Sequence, residues 1–310
     1  MISRATLAQR QGQPLDGKVI MSDRRIREWH DHWRGDVYVS FSGGKDSTAL
    51  LHLVRSIYPR VPAVFCNTGL EFPEVVRFVR ATENVVWLKP KMRFREVIDK
   101  YGWPVVSKEQ AMAISRYNNT KSEVQKFYRL WGFPNGPKGK ISEKWKWLLD
   151  APFKIGEGCC AVMKKRPFHK FEKESGLHGI TGEMASDSNN RRQRYLATGC
   201  NAFDTKTPLS RPLSFWLEDD VWQYLNDNNV PYSDIYDMGY GRTGCVFCCF
   251  GLHMEGRPNR FERMKETHPR LWTYCMDKLG LREVLEFMDM PFGEKAQGMQ
   301  PCRNVQNGGE

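Results

Sequence analysis

One short segment, residues 40–47, constrains the fold of this chain more than any other: it reads Ser-Phe-Ser-Gly-Gly-Lys-Asp-Ser. It follows the apolar run Val37–Val39 and leads into a helical pattern, which gives the order strand, glycine loop, helix. Such a loop binds phosphate, because glycines let the backbone approach an anion and the helix start presents free N–H groups. It lacks the spacing of a Walker A loop. The residues predicted to form this phosphate loop are Ser42, Gly43, Gly44, Lys45, Asp46 and Ser47.

Strands and helices alternate after this loop. Strand patterns cover residues 36–41, 62–67 and 84–88, and helical patterns cover 47–58, 71–82 and 94–101. This alternation predicts an α/β fold, a parallel twisted sheet with helices on both faces. A further strand at 178–181 is expected to return to the sheet. Ligands bind beyond the carboxyl ends of such strands, where the loops at Ser42 and Thr68 would open.

The length of 310 residues favours one large domain with an appendage. We expect a polar lead-in over 1–35, with a helix near 24–33, and a nucleotide-binding α/β domain over 36–240. A helical insertion is expected at about 107–150 within that domain. A small cysteine-rich, helical module is expected over 241–310.

The composition favours a polyanionic partner. Lysine and arginine exceed aspartate and glutamate by 11, which suits a nucleotide or a nucleic acid but equally suits a solvated basic surface. Hydrophobic residues make up 40% of the chain. No apolar run approaches the length of a membrane span, and the first residues lack the apolar core of a signal peptide. We therefore expect a cytoplasmic protein with no membrane partner.

Nine cysteines suggest metal or redox chemistry, because a disulfide framework is rare in cytoplasmic proteins. Two pairs stand out: adjacent cysteines at 159 and 160, and a Cys-x-x-Cys at 245 and 248. The pairs are separated by 84 residues. Four thiolates can hold one metal centre, either an iron–sulfur cluster or zinc. Zinc ribbons usually have two Cys-x-x-Cys pairs, whereas one pair here is adjacent in sequence. The predicted metal ligands are Cys159, Cys160, Cys245 and Cys248.

The Ser-Gly-Gly-Lys-Asp-Ser segment resembles the PP-loop of N-type ATP pyrophosphatases, which cut ATP between its α and β phosphates. Over roughly residues 36–276 the chain is similar to the phosphoadenosine phosphosulfate (PAPS) reductase family, and the cysteine spacing resembles the [4Fe–4S] site of adenylyl-sulfate reductases. Further matching segments, in the family's order, are residues 67–74, 182–191, 212–216, 220–224 and 236–245.

The resemblance implies an adenine nucleotide alpha hydrolase-like fold, with ATP, Mg²⁺ and a [4Fe–4S] cluster as cofactors. It implies that Asp46 holds Mg²⁺ and that Lys45 binds phosphate, both in catalytic roles. Arg191 or Arg192 would clamp a second anion, and Arg191 is the third predicted catalytic residue. The remaining nucleotide-binding residues implied by the matching segments are Phe65, Asn67, Thr68, Gly182 and Glu183.

Two departures separate the chain from the reductases. Their C-terminal Glu-Cys-Gly-Leu-His is replaced by Gln-Pro-Cys-Arg-Asn, which leaves the role of Cys302 open. Their degraded loop is replaced by an intact one, in which Lys45 suits the phosphates of ATP.

These departures favour an ATP-dependent enzyme that adenylates a substrate and supports iron–sulfur-dependent sulfur transfer. A nucleic acid, tRNA or DNA, is the expected acceptor, with a cysteine desulfurase as an example of the sulfur donor. Two alternatives are a sulfonucleotide reductase that makes sulfite and a non-catalytic regulator that binds a nucleotide.

Overall fold

The computed structural model describes residues 2–293, which form two units. The first unit contains residues 2–89 and 166–243, and the second contains 90–165 and 244–293. Residues of the predicted insertion and of the predicted C-terminal module therefore share the second unit. No helix in the described range is both long and apolar enough to cross a membrane.

A mostly parallel six-stranded sheet forms the centre of the first unit, in the order β3-β2-β1-β5-β7-β6. Neighbouring strands are parallel except the pair β6 and β7. The predicted parallel sheet is thus confirmed. In chain order these strands are β1 (Val37–Ser40), β2 (Ala63–Cys66), β3 (Val85–Leu88), β5 (His178–Thr181), β6 (Asn201–Ala202) and β7 (Leu209–Ser210).

Helices surround this sheet, and the apolar faces of the central strands and of the helix after β1 form its core. All four residues of β2 are buried, as expected for a strand covered on both faces. The helices of the first unit are α1 (Arg4–Gln11), α2 (Leu15–His32), α3 (Lys45–Ile57), α4 (Pro73–Ala81), α9 (Arg166–Ser175), α10 (Asn189–Thr198) and α11 (Glu218–Asp227).

The N-terminal segment is more helical than its sequence suggests. Helix α2 begins at Leu15 rather than near residue 24, and α1 precedes it. The reason is tertiary: Lys18 is buried and donates to Asp220 Oδ2 at 2.6 Å, and Ser22 donates to the Pro212 carbonyl at 2.9 Å. These partners lie about two hundred residues away, so local patterns could not predict them.

The second unit is mainly helical, with one short parallel pair of strands, β4 (Val105–Val106) and β8 (Cys249–Phe250). A 3₁₀ helix spans Glu143–Asp150, and a π-helical turn, Ala161–Lys165, follows α8. The α-helices are α5 (Phe94–Tyr101), α6 (Lys108–Asn119), α7 (Glu123–Trp131), α8 (Gly158–Cys160), α12 (Arg260–Thr267), α13 (Pro269–Thr273) and α14 (Leu281–Phe287).

The strand order determines where a ligand can bind in the first unit. Strand β1 has β2 on one side and β5 on the other, so chain connections leave it in opposite directions. A crevice forms at such a switch point, outside the carboxyl ends of the strands. The loop after β1 is the phosphate loop, and the loop after β5 begins at Gly182.

Candidate nucleotide loop and cysteine group

The two glycines of the phosphate loop have no room for a side chain. Gly43 has φ +71°, and a Cβ there would lie 2.8 Å from Val79 Cγ2 and 2.9 Å from Val75 Cγ1. A Cβ on Gly44 would lie 2.6 Å from Thr243 Oγ1. Glycine is therefore favoured at position 43 by backbone conformation and packing, and at position 44 by packing alone.

Hydrogen bonds within the loop fix its shape. Ser47 Oγ donates to the Gly44 carbonyl at 2.9 Å and accepts the Ser42 N–H at 3.1 Å. The two serine hydroxyl oxygens lie 3.0 Å apart. The loop is thus held by its own side chains without a ligand.

Helix α3 begins at the loop, and side chains accept two of the N–H groups at its start. The hydroxyl of Tyr236 accepts the Lys45 N–H at 2.7 Å, and Ser42 Oγ accepts the Gly44 N–H at 3.4 Å. The next two amides, of Asp46 and Ser47, have no acceptor within the helix because they belong to its first turn. They are available to an anion, which the positive end of the helix dipole also attracts.

The Lys45 ammonium is buried between acidic and aromatic groups. Its side chain is 7% exposed, and Nζ lies 3.3 Å from Asp46 Oδ1 and 3.2 Å from Glu218 Oε1. Nζ also lies 5.8 Å from the centre of the Tyr236 ring. Burial disfavours the charge, but Asp46, Tyr236 and Glu218 outweigh it and raise the pKa of Lys45. The lysine is therefore a fixed cation beside the loop.

The Asp46 carboxylate lacks a full set of partners. Its Oδ1 atom is inaccessible to solvent and accepts no hydrogen bond, although Lys45 Nζ lies 3.3 Å away. Burial raises the pKa of this carboxyl, Lys45 opposes the increase, and the charges of Asp187 and Glu218 add to it. A cation bound at Asp46 would relieve this repulsion.

No three His, Cys, Asp or Glu side chains in residues 2–293 are placed to hold a single metal ion. Magnesium in nucleotide sites uses one or two carboxylates together with phosphate oxygens and water. The orphaned oxygen of Asp46 therefore fits Mg²⁺ that arrives with a nucleotide.

Gly182 lets the end of β5 lie against the start of α3. A Cβ at this position would be 2.8 Å from the carbonyl oxygen of Asp46 and 3.3 Å from the Ser47 nitrogen. The loop after β5 therefore reaches the phosphate loop, as the strand order predicts.

Glu183, the next residue, is surrounded by arginines. Its Oε2 accepts from Arg194 Nη1 at 3.1 Å and lies 3.4 Å from the Nε of buried Arg211, and Arg191 Nε lies 3.9 Å from its Oε1. Burial lowers the pKa of Arg211, and the charge of Glu183 opposes this. Three guanidinium groups thus lie around the Glu183 carboxylate, beyond the end of β5.

The two arginines predicted to clamp an anion have different surroundings. Arg191 pairs with Asp187 as well as approaching Glu183, whereas Arg192 is exposed. Their clamping role stays a prediction.

The segment after β2 holds its predicted residues in place through local contacts. Thr68 donates its hydroxyl to Glu71 Oε1 at 2.7 Å, and Asn67 Oδ1 accepts the Gly69 N–H at 2.9 Å. Phe65 is 2% exposed as a whole residue, and its ring packs edge-on against Trp87. A contact of Phe65 with adenosine stays a prediction.

Cys159 and Cys160 lie on the single turn α8 of the second unit. The hydrogen bond between the two thiols is the main influence on both, with Cys159 as donor: together with burial it raises the pKa of Cys159, and it lowers the pKa of Cys160. The charges of Lys108, Lys164 and Lys165 also favour the Cys160 thiolate. The surroundings therefore favour one negative charge at this pair, on Cys160.

Cys245 and Cys248 lie on a turn before β8, in which the Cys248 N–H donates to the Cys245 carbonyl at 3.0 Å. Their charges act on Cys159, so both pairs belong to one neighbourhood within the second unit. Arg260 Nη1 donates to the Cys248 carbonyl at 2.9 Å and stabilises the turn.

This donor set, four thiolates in two pairs, fits a [4Fe–4S] cluster, in which each thiolate binds a different iron. The four cysteines and the nearby lysines suit such an anionic group.

The other described cysteines are buried packing residues: Cys66, Cys200, Cys249 and Cys275. Cys302 lies outside the described residues.

Sequence reasoning missed several residues around the phosphate loop. Tyr236 lies in a segment that matches the family, but that match does not indicate a contact with the loop. Glu218 is the first residue of α11, and no local sequence pattern indicates its contact with Lys45. They come from distant segments, so their contacts with the loop are tertiary. The missed residues are Asp187, Arg211, Glu218, Tyr236 and Thr243.

Comparison with known proteins supplies a family match. Residues 36–250 match the model described as the phosphoadenosine phosphosulfate reductase domain. An uncharacterized protein of Methanocaldococcus jannaschii is 25% identical over 272 residues, which are 86% of this chain and 53% of that protein, so the chain spans about half its length. An adenosine 5′-phosphosulfate reductase of Staphylococcus epidermidis is 24% identical over 259 residues, 80% of this chain and 86% of the reductase.

Two solved structures show weaker likeness. A phosphoadenylyl-sulfate reductase from Candida auris, in a phosphate complex, has a TM-score of 0.43 and 18% identity over 79% of this chain and 96% of its own. A U34-tRNA thiolase from Methanococcus maripaludis with its [4Fe–4S] cluster has a TM-score of 0.40 and 14% identity, over 88% of this chain and 80% of its own.

Proposed function

Since the chain belongs to the phosphoadenosine phosphosulfate reductase domain family, we propose that it is an ATP pyrophosphatase that adenylates an acceptor for sulfur transfer. The proposed acceptor is a nucleic acid. The observation that supports this most is the intact phosphate loop, with buried Lys45, two amides without helical acceptors and the orphaned oxygen of Asp46. A loop that does not bind a triphosphate would not need this combination of a cation, free amides and a carboxylate.

In the first step, an oxygen of the acceptor attacks the α phosphorus of ATP. The bond from that phosphorus to the pyrophosphate oxygen breaks, pyrophosphate leaves with the electron pair, and the acceptor proton passes to solvent. Lys45 and the amides of Asp46 and Ser47 stabilise the negative charge that develops on the leaving phosphates. Asp46 would hold Mg²⁺, which supplies further neutralisation of phosphate charge.

In the second step, hydrosulfide attacks the atom that bears the adenylate. The new bond to sulfur forms, AMP leaves with the bonding electrons of the old oxygen bond, and the sulfur loses its proton. A donor such as a cysteine desulfurase, with a thiol reductant, would supply the sulfide. Cys159, Cys160, Cys245 and Cys248 would hold a [4Fe–4S] cluster, whose chemistry when bound is to bind sulfide or pass electrons.

The test is to incubate anaerobically prepared protein with ATP, Mg²⁺ and sulfide, adding tRNA or DNA, and to separate the nucleotide products. We expect AMP and pyrophosphate in equal amounts, dependent on the nucleic acid. Formation of ADP and phosphate instead, or no pyrophosphate with either tRNA or DNA, would contradict the proposal.

A second candidate, a sulfonucleotide reductase, is favoured by the relatives that carry that name. Here a cysteine thiolate would attack the sulfur of the sulfonucleotide, release the adenosine phosphate and form a thiosulfonate. A dithiol such as reduced thioredoxin would then release sulfite and become oxidised. Sulfite formation from adenylyl sulfate, lost in Cys302→Ser, would support this candidate over the first.

A further inference from the structure

A groove lined by residues with polar or charged side chains lies on the helical part of the second unit, between α6 and α7. Its volume is about 310 Å³. Two of its lining side chains are arginines and none is acidic. The lining residues are Arg116, Asn119, Thr120, Gln125 and Arg129.

Arg129 is a buried cation without a counter-ion. The residue is 8% exposed, its Nη1 donates to the Gly139 carbonyl at 2.9 Å, and its guanidinium lies 4.6 Å from the centre of the Phe133 ring. Within residues 2–293 it forms no ion pair with a carboxylate. Burial lowers the pKa of Arg129, and the nearby charge of Arg116 lowers it further.

Two like charges at one groove repel each other, and an anion bound between them would relieve this repulsion. A phosphate group has the right chemistry, since guanidinium groups bind phosphate oxygens in pairs. The amides of Asn119 and Gln125 and the hydroxyl of Thr120 can supply further hydrogen bonds.

Helix α7 also presents apolar side chains to solvent. Val124, Phe127 and Trp131 are 59%, 57% and 60% exposed, and their spacing places them along one side of the helix. Lys146 Nζ lies 4.0 Å from the centre of the Trp131 ring. Exposed aromatic rings with cations beside them are typical of surfaces on which unpaired bases stack.

We propose that the groove between α6 and α7 binds a backbone phosphate of a nucleic acid strand that crosses α7, and that unpaired bases further along the strand stack on Phe127 and Trp131, which lie on the other side of this helix. The acceptor class rests on the proposed function, and this inference adds the surface that recognises it. An apolar protein partner would cover the rings but leave Arg129 without a counter-charge. The net charge of +11 agrees with a polyanionic ligand.

The experiment measures binding of fluorescently labelled tRNA and single-stranded DNA to the full-length chain, without ATP, over a series of salt concentrations. We expect Arg116→Ala to weaken binding about tenfold and to reduce the slope of log affinity against log salt by about one. Arg116 is exposed, so this change should not affect folding. Phe127→Ala should weaken binding about tenfold with little change of the slope, because stacking carries no charge.

Arg270→Ala is the matched control, since it removes an exposed arginine of the same unit outside the groove. It should leave affinity within about twofold. Equal losses from Arg116→Ala and Arg270→Ala would overturn the proposal by indicating general surface attraction.

A second variant guards against a purely structural explanation. Arg129→Lys retains the charge but loses the planar fork, and it should weaken binding while its thermal midpoint stays close to that of the wild type. Because no ATP is present, binding is independent of catalysis. If binding depends on the groove but no pyrophosphate forms, the result contradicts the proposed function alone. If pyrophosphate forms and Arg116→Ala does not change its formation, the result contradicts the groove proposal alone.

Discussion

At the scale of single residues, Lys45 is the cation of the phosphate loop. It is buried, yet two carboxylates within 3.3 Å keep it charged. Glu218 belongs to a distant helix, and its side chain is 59% exposed. A phosphate could therefore replace Glu218 as the partner of the ammonium without creating an unpaired buried charge.

We expect Lys45→Ala to reduce pyrophosphate formation about 100-fold or more, as removal of a charge-stabilising donor does in other active sites. Arg80→Ala, which removes an exposed cation of the same unit, should have no such effect. Product formation is measured under saturating ATP, and equal activity of the two variants would refute the role of Lys45.

At the scale of elements, the close approach of β5 to α3 shapes the nucleotide site. Gly182 belongs to a segment that matches the family, but the match does not explain why glycine is needed there. The packing does, because only a residue without a side chain can lie this close to the backbone of Asp46.

Gly182→Ala should therefore shift the start of α3 and lower the free energy of unfolding by about 1–3 kcal/mol, since backbone atoms cannot move aside as a side chain can. Gly241→Ala is its control, because nothing lies within 4 Å of a Cβ there. Urea unfolding measures both, and a stable Gly182→Ala variant with full activity would contradict this reading of the contact.

Packing of α3 against α11 introduces a pH dependence. His52 Nδ1 lies 2.9 Å from the Tyr224 hydroxyl, and burial lowers the pKa of His52. The unfolded chain therefore binds a proton more readily, with an ordinary histidine pKa of about 6.5. Stability is fully present above that value and decreases as the pH falls below it.

His52→Asn, which keeps a polar group near the Nδ1 position, should lose less stability between pH 7.5 and 5.5 than the wild type. Urea unfolding at the two pH values measures the difference. Equal losses in both proteins would show that His52 does not contribute.

At the scale of the whole molecule, the second unit is assembled from two segments that are far apart in sequence. One segment supplies Cys159 and Cys160, and the other supplies Cys245 and Cys248. A cluster bound by all four would link the segments, and its binding free energy would add to the stability of the folded unit.

Anaerobically purified protein should be brown, with matching iron and sulfide contents, and removal of the iron by a chelator should increase hydrogen exchange in residues 90–165 and 244–293. Replacing any of the four cysteines with serine should abolish iron binding. Cys249→Ala, which alters an adjacent buried thiol, should retain it. Stoichiometric zinc in place of iron would contradict the cluster.

The sequence by itself determined the fold class and the place of the phosphate loop, because hydrophobic periodicity and glycine spacing are local signals. The strands predicted at 36–41, 62–67 and 84–88 are present with slightly shorter bounds, and the strand predicted at 178–181 has the predicted bounds. Only the tertiary structure decided which residues meet there. Tyr236 and Glu218 contact Lys45 through tertiary packing, and no local pattern encodes contacts across 170 or more residues.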